Sequence, residues 1–178
     1  LMGISKQTVN INKMVLGNKA KDKIIEYVPH GLNNKMFFPI EDQNDKNLKG
    51  LRDQLWLGKD FEFSLLFNSR NIRRKCIIST IIAWKLFTES LPKEEAEKCL
   101  LVLHTEAIAD PGTDLQACIE YFLNPDISKV RISEQKLPTE SMNLLYNSVD
   151  GVILLSNAEG WGLALTEDML ICTPCNYS

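Results

Sequence analysis

Histidine, glycine and proline are scarce in this 178-residue chain. The two histidines, His30 and His104, have no spacing from which a Ser-His-Asp or Cys-His catalytic arrangement could be argued. Nine glycines and seven prolines are too few for a collagen-like or disordered chain. Uncharged apolar runs stop well short of the roughly 20 residues that a bilayer-spanning helix needs. We therefore expect a folded domain that is not transmembrane.

Basic residues are not in excess, because 20 Lys and Arg stand against 23 Asp and Glu, for a net charge of −3. A nucleic-acid-binding protein more often has a net basic balance, so no nucleic-acid partner is predicted. The N-terminal stretch LMGISKQTVNINK contains no apolar segment of the kind that a signal peptide needs. Five scattered cysteines favour a reducing compartment. The predicted location is cytoplasmic, and peripheral attachment of the full-length protein to a membrane stays open.

One cysteine pair, Cys172-x-x-Cys175, has the spacing of half a zinc site or of a redox pair. No second Cys or His pair stands nearby in the sequence. Neither a metal nor another cofactor is therefore predicted.

Short apolar runs alternate with amphipathic stretches after a polar segment, 41–49, that is the best candidate for a linker or surface loop. The apolar runs predict strands at 62–67, 99–104, 129–132 and 152–155. The stretches between them predict helices, one on the periodicity of Ile78, Ile81, Ile82 and Leu86, one on a capping box from Thr113 to Gln116, and one from Pro138. This order predicts an α/β fold, a Rossmann-like parallel sheet with helices on both faces.

The segment that follows the first of these strands is basic. Arg70, Arg73, Arg74 and Lys75 gather there without an acid, at the expected carboxyl end of a strand and the start of a helix. Helix N-termini attract anions, and Arg and Lys side chains bind phosphate oxygens. This position favours a diphosphate site, and a solvated basic surface loop remains the alternative.

A second segment combines acids with glycines. Glu159 and Glu167 are separated by seven residues, and Gly160 and Gly162 allow a ligand to approach the backbone closely. Carboxylates accept hydrogen bonds from sugar hydroxyls, so two acids beside a cationic loop suit a sugar joined to a nucleoside diphosphate. Taken alone, the pair is also consistent with ordinary helix acids.

Together these segments resemble glycosyltransferase family 4, whose members use nucleotide sugars and have the two-domain GT-B fold. AEGWGLALTE resembles the Glu-x7-Glu motif of that family, and SRNIRRK its Arg-x4-Lys diphosphate motif. YVPHGLNNKMFFP resembles the segment that leads out of the N-terminal domain, and LPTESMNLLYNSVDGVILLS the helix and strand before the Glu motif. The resemblance covers most of residues 4–175.

The resemblance implies a role for each matching residue. Arg70 and Lys75 would bind the donor diphosphate. Glu159, the catalytic candidate, would face the donor sugar and hold its hydroxyls, and Glu167 would bind the ribose. The backbone of four residues would line the phosphate and the sugar: Gly160, Trp161, Gly162 and Leu163. Family members usually retain anomeric configuration, and many need no metal.

The chain departs from the family pattern at Asn33, where an acid usually follows Pro-His-Gly, and at Cys172, where glycine is usual. The resemblance implies that residues 1–40 are the end of an N-terminal domain with the interdomain segment. A helix is expected at 5–16 and a strand at 23–29. Residues 41–178 would then be a Rossmann-like nucleotide-sugar-binding domain that is incomplete at its C-terminus.

The expected function is transfer of a hexose-like sugar from a UDP- or GDP-linked donor to an unknown glycan, lipid or protein acceptor. This chain would supply the donor-binding part, be inactive in isolation, and tend to self-associate through exposed apolar surface. Two alternatives stay open: a non-catalytic nucleotide-sugar-binding or interaction module, and a nucleotide-sugar epimerase of the same fold, which the Arg-x4-Lys match disfavours.

Overall fold

The computed structural model describes residues 1–124 and 128–171, and the backbone of 175–177. These described residues contain seven helices, namely α1 Lys6–Leu16, α2 Lys46–Trp56, α3 Ile77–Glu89, α4 Lys93–Ala96, α5 Leu115–Phe122, α6 Thr139–Asn147 and α7 Leu163–Met169. The strands of these described residues are β1 Met2–Gly3, β2 Glu26–Tyr27, β3 Phe63–Asn68, β4 Cys99–His104, β5 Lys129–Ser133, β6 Gly151–Leu154 and β7 Cys175–Tyr177. Short 3₁₀ turns occupy Gly17–Asp22 and Arg73–Lys75.

The main sheet has five strands in the order β5-β4-β3-β6-β7, and every neighbouring pair is parallel. The four predicted strands all lie in it, so the predicted parallel α/β sheet is confirmed. From β3 the chain adds β4 and then β5 on one side of the sheet, and it later adds β6 and β7 on the other side of β3. Ligands of open α/β sheets bind at such a reversal of strand order, beyond the carboxyl ends of the strands. The segments after β3 and β6 therefore frame the expected ligand site.

Helices cover both faces of this sheet, as predicted. Leu100 and Val102 of β4 pack toward α2 and α6, whereas Leu101 and Leu103 pack toward α3 and α5. Successive strand residues point to opposite faces, so a continuous apolar strand supplies both layers of core at once. These two cores hold the ends of β3 and β6 in a rigid position.

The exposed face of α3 differs from the sequence-based expectation. Ile81 is fully buried, but Ile78 and Ile82 are 37% exposed and Leu86 is 63% exposed. Apolar residues occur all round this helix, so their spacing does not single out one face. The buried face also carries Thr88, whose hydroxyl bonds to the Trp84 carbonyl of the same helix and to Ser128 Oγ.

The helix α2 is not among the predicted helices, and the cap of α5 differs by one residue. Asp45 accepts hydrogen bonds from Asn47 N and Leu48 N, so α2 begins inside segment 41–49, the predicted linker or surface loop. Asp114, rather than Thr113, caps α5 by accepting from Ala117 N. A carboxylate is as effective an N-cap as a hydroxyl and adds favourable charge at the helix N-terminus.

Residues 2–27 form a small N-terminal unit of β1, α1 and β2 beside the main sheet. The helix predicted at 5–16 is confirmed as α1, whereas the strand predicted at 23–29 is only the two residues of β2, which pairs with β1 in parallel. The extended segment that follows is held by α6. Asn143 Oδ1 accepts from Phe38 N at 3.0 Å, and Asn147 Oδ1 accepts from Ile40 N at 2.8 Å.

Leu57 ends α2 in the left-handed conformation, with φ of 56°, and its side chain is exposed. We expect Leu57→Gly to raise the free energy of unfolding by about 0.5–1 kcal/mol, because left-handed backbone strain of about 1–2 kcal/mol outweighs the added unfolded-state entropy of glycine. Urea denaturation measures the change. The exposed Leu86 of α3 is the control, since Leu86→Gly should lower the stability by a similar amount. A destabilised Leu57→Gly variant would contradict the strain argument.

Candidate functional site

The basic segment after β3 turns back toward the loop after β6. Lys75 ends the 3₁₀ turn, is 9% exposed, and donates a short hydrogen bond from Nζ to Glu159 Oε1. Arg74 donates to the Ala158 carbonyl at 2.7 Å and lies 3.5 Å from Glu159 Oε2. Arg74 and Lys75 of the segment after β3 thus bind the loop after β6, at the point where the strand order reverses.

This contact changes the ionisation of Glu159. Burial opposes ionisation, but the hydrogen bond and charge of Lys75 and the charge of Arg74 outweigh it, and the pKa of Glu159 is lowered. The ion pair therefore contributes to stability above the unfolded-state pKa of the carboxyl, and the contribution is lost as the pH falls through the lowered folded-state value.

The loop after β6 depends on its glycines. Gly162 has φ of 83° and caps the N-terminus of α7, a conformation that side-chain-bearing residues rarely adopt. Gly160 faces the N-terminal unit, since a Cβ there would lie 3.1 Å from Ile4 Cδ1. The Trp161 ring lies 6.0 Å from the ring of His30, centroid to centroid. The loop thus contacts both the main domain and the N-terminal unit.

Glu167 lies one helical turn into α7 and is partly buried. Its Oε2 accepts a 3.0 Å hydrogen bond from the Tyr146 hydroxyl of α6, which itself accepts from Asn68 Nδ2 at 2.9 Å. Burial raises the pKa of Glu167, and the bond from Tyr146 acts in the opposite direction.

A cavity of about 450 Å³ opens at the carboxyl ends of β3, β4 and β5. The structure brings four of the candidate residues to its wall: Arg70, Lys75, Leu163 and Glu167. Glu159, Trp161 and Gly162 line a neighbouring cavity of about 430 Å³ on the other side of α7. The ion pair between Lys75 and Glu159 joins the two. The cavity volumes are those of small-ligand sites.

His104 also lines the larger cavity, at the end of β4. Its Nδ1 lies 3.2 Å from Ser133 Oγ, and burial lowers the pKa of the imidazole. An imidazole with a lowered pKa can contact an uncharged part of a ligand without adding to the charge of the cavity, whose lining carries both basic and acidic side chains.

Sequence reasoning missed Asn71, which is 1% exposed between the two halves of the basic segment. Its Nδ2 donates to the carbonyls of Thr113 at 2.6 Å and Glu106 at 3.1 Å, and its Oδ1 accepts from Thr113 N at 3.0 Å. These bonds join the loop after β3 to the loop after β4. The available signal was an amide residue directly after Arg70 in a loop at a strand end.

Tyr146 and Asn68 were missed as well, because spacing along the chain does not show that α6, β3 and α7 meet. The pair Cys172-x-x-Cys175 lies outside the residues whose side chains are described. Within 1–124 and 128–171, no group of three or more His, Cys, Asp or Glu side chains could hold a metal ion. No helix in this same part of the chain has the length and apolarity for a bilayer crossing.

Comparisons with known proteins bear on the fold. No protein-family model matches the sequence, and a search of curated proteins finds no relative. Solved structures match well: the C-terminal domain of the glycosyl transferase group 1 protein LpcC from Francisella tularensis has a TM-score of 0.62 at 18% identity, over 83% of this chain and 70% of that one. The fold is that of the C-terminal domain of GT-B glycosyltransferases.

Two longer chains of this fold match over almost the whole sequence. Anabaena HepE, solved in complex with UDP-glucose, has a TM-score of 0.67 at 16% identity, and the match covers 99% of this chain and 43% of that one. The α,α-trehalose 6-phosphate synthase of Burkholderia multivorans has a TM-score of 0.70 at 12% identity with the same coverage of both chains. The GT-B-like chain thus spans about two fifths of these proteins.

Proposed function

We propose that this chain is the donor-binding part of a glycosyltransferase that uses a nucleoside-diphosphate sugar. The observation that carries the proposal is the cavity at the carboxyl ends of the strands, which Arg70, Lys75 and Glu167 all line. Cations bind diphosphate oxygens and a carboxylate accepts from ribose hydroxyls, so the wall matches the two polar parts of a nucleoside diphosphate. The neighbour solved with UDP-glucose supports the same ligand class.

In this proposal the roles follow the sequence resemblance. Arg70 and Lys75 bind the diphosphate, Glu167 binds the ribose, and Glu159 faces the sugar. The backbone at Gly160–Leu163 lines the phosphate and sugar, which is consistent with the left-handed Gly162 at the start of α7. Residues 1–40 connect this domain to an acceptor-binding domain, and 41–178 form the donor domain.

The finer chemistry is proposed on the same basis. The reaction retains anomeric configuration, transfers a hexose, and proceeds in a cytoplasmic enzyme without a metal. Charge developing on the departing diphosphate is balanced by Arg70 and Lys75. The base of the nucleotide would occupy the end of the cavity lined by His104 and Ser133.

The proposal predicts that the purified chain binds UDP or GDP more tightly than the matching nucleoside, with a dissociation constant near millimolar, about −4 kcal/mol. Isothermal titration calorimetry with UDP, GDP, uridine and guanosine measures this, and pyrophosphate is the control for charge alone. Because the chain spans about two fifths of full glycosyltransferases, we expect no acceptor-dependent release of nucleoside diphosphate from UDP- or GDP-sugars.

The possible outcomes separate the candidate functions. Binding without turnover supports the donor-binding part of a transferase, and binding that pyrophosphate matches would reduce the site to an anion-binding patch. Absence of binding to both nucleotides contradicts the proposal. Acceptor-dependent turnover would make the chain a minimal enzyme, and interconversion of the donor sugar would identify an epimerase.

A further inference from the structure

A chain of hydrogen bonds runs behind the cavity wall from Asn68 through Tyr146 to Glu167, and its two end residues both line the cavity. Asn68 at the end of β3 donates from Nδ2 to the Tyr146 hydroxyl at 2.9 Å, and that hydroxyl donates to Glu167 Oε2 at 3.0 Å. The tyrosine is fully buried, and the ring of Phe37 packs against it edge to face at 5.9 Å. Its hydroxyl therefore has a fixed position between a strand and a helix.

The direction of these bonds follows from their chemistry. An amide NH₂ group can only donate, so the Tyr146 oxygen is the acceptor of the bond from Asn68. The single hydroxyl hydrogen of Tyr146 is then directed at Glu167, where it occupies Oε2. The other carboxylate oxygen, Oε1, remains to accept a bond from a ligand in the cavity.

We propose that Tyr146 is a positioning residue for the ligand-binding carboxylate, which holds Glu167 in one rotamer with Oε2 occupied and Oε1 available to a ribose hydroxyl. This inference rests on the proposed function, in which Glu167 binds the ribose. It adds the residue that orients that carboxylate and keeps it ready to accept a hydrogen bond.

The surroundings of Glu167 support this role. Burial raises the pKa of the carboxyl, and the bond from Tyr146 is the effect that lowers it. Burial also raises the pKa of Tyr146 far above its usual value, so its hydroxyl keeps the proton it donates. Asp168 follows Glu167 on α7. Besides Glu167, six charged or titratable side chains line the ligand cavity: Arg70, Lys75, His104, Glu106, Glu134 and Lys136.

The test is Tyr146→Phe, which removes one oxygen and keeps the ring. Carbon-13 NMR of protein labelled at the glutamate carboxyls follows the ionisation of Glu167, and the Glu167→Gln variant identifies its signal. We expect the pKa of Glu167 to rise by about one unit or more in Tyr146→Phe, because a hydrogen bond to the charged form is lost. Tyr121→Phe, on the exposed surface of α5, is the matched control and should leave the pKa unchanged.

A second measurement compares UDP with 2′,3′-dideoxy-UDP, or the GDP pair if GDP binds better. Glu167→Gln should reduce the preference for the ribose hydroxyls by about tenfold, and Tyr146→Phe by roughly threefold. The preference should fall as the pH decreases through the pKa of Glu167, and this fall should move to higher pH in Tyr146→Phe. A purely structural tyrosine would change the stability without moving that profile.

The outcomes distinguish this inference from the proposed function. If the wild-type chain does not prefer the ribose hydroxyls, or Glu167→Gln does not change the preference, the ribose role of Glu167 fails and the inference fails with it. If Glu167→Gln acts as expected but Tyr146→Phe moves neither the pKa nor the preference, the proposed function stands and the inference is overturned. A raised pKa with a weakened preference supports both.

Discussion

Lys75→Ala should weaken the binding of UDP or GDP by about tenfold or more, since one charge-assisted contact is typically worth about 1.5–3 kcal/mol. Binding of the matching nucleoside should change little. The loss has a second cause, because Lys75 is the nearer of the two cations that neutralise Glu159. Without its ammonium group, the carboxylate would keep only the more distant Arg74 as a counter-charge and would repel the phosphates. Calorimetry with the nucleotide and the nucleoside measures both affinities.

Lys98→Ala is the matched control for this result. Lys98 also forms an ion pair with a glutamate, Glu62, at 2.6 Å, but at the amino end of β4, away from the cavity. Its removal should leave nucleotide affinity unchanged. Adding Glu159→Gln to Lys75→Ala should recover part of the loss, because the repelling charge is then absent. Equal losses for nucleotide and nucleoside would show that Lys75 does not touch the phosphates.

Asn71→Ala should lower the free energy of unfolding by about 3 kcal/mol, since three hydrogen bonds of this buried side chain are lost and partly buried peptide groups lose their partner. Those groups are the Thr113 N–H and the carbonyls of Thr113 and Glu106. The loop after β4 has little room to move and form new hydrogen bonds, because its Gly112 packs directly against the Asn71 backbone. Urea denaturation measures the loss.

An exposed asparagine provides the comparison. Asn44 accepts one hydrogen bond from the exposed Lys49, so Asn44→Ala should change the stability by less than about 0.5 kcal/mol. Nucleotide affinity should also fall in Asn71→Ala, since the neighbouring Arg70 loses its support. A stability loss no larger than that of Asn44→Ala would show that the two loops are held together by other contacts.

The sheet could be predicted from the sequence because burial on both faces produces uninterrupted apolar runs. CLLVLH is such a run, and β4 indeed supplies core residues to both layers. The spacing of apolar residues did not identify the buried face of a helix that has apolar residues on every side. The helix α3 is apolar on all sides, so its outward Ile82 and inward Ile81 look alike in sequence.

Site prediction had a similar limit. Patterns along the chain located the basic and acidic segments, and topology then predicts that both lie at the carboxyl edge of the sheet. Contacts between individual side chains could not be predicted in this way. Lys75 and Glu159 are 84 residues apart, and Tyr146 and Glu167 belong to different helices. Their contacts depend on helix orientation and rotamers, which the spacing of residue types does not determine.

The helix α6 connects two parts of the molecule. Asn143 and Asn147 hold the backbone of Phe38 and Ile40, and Tyr146, on the same two turns, holds Glu167. If Glu167 binds a ribose as proposed, a displacement of the segment that leads out of the N-terminal unit would reach that carboxylate through this one helix. Thermodynamic linkage would then make the effect mutual: an orientation of the N-terminal unit that favours ribose binding would be favoured by the bound ribose to the same extent in free energy.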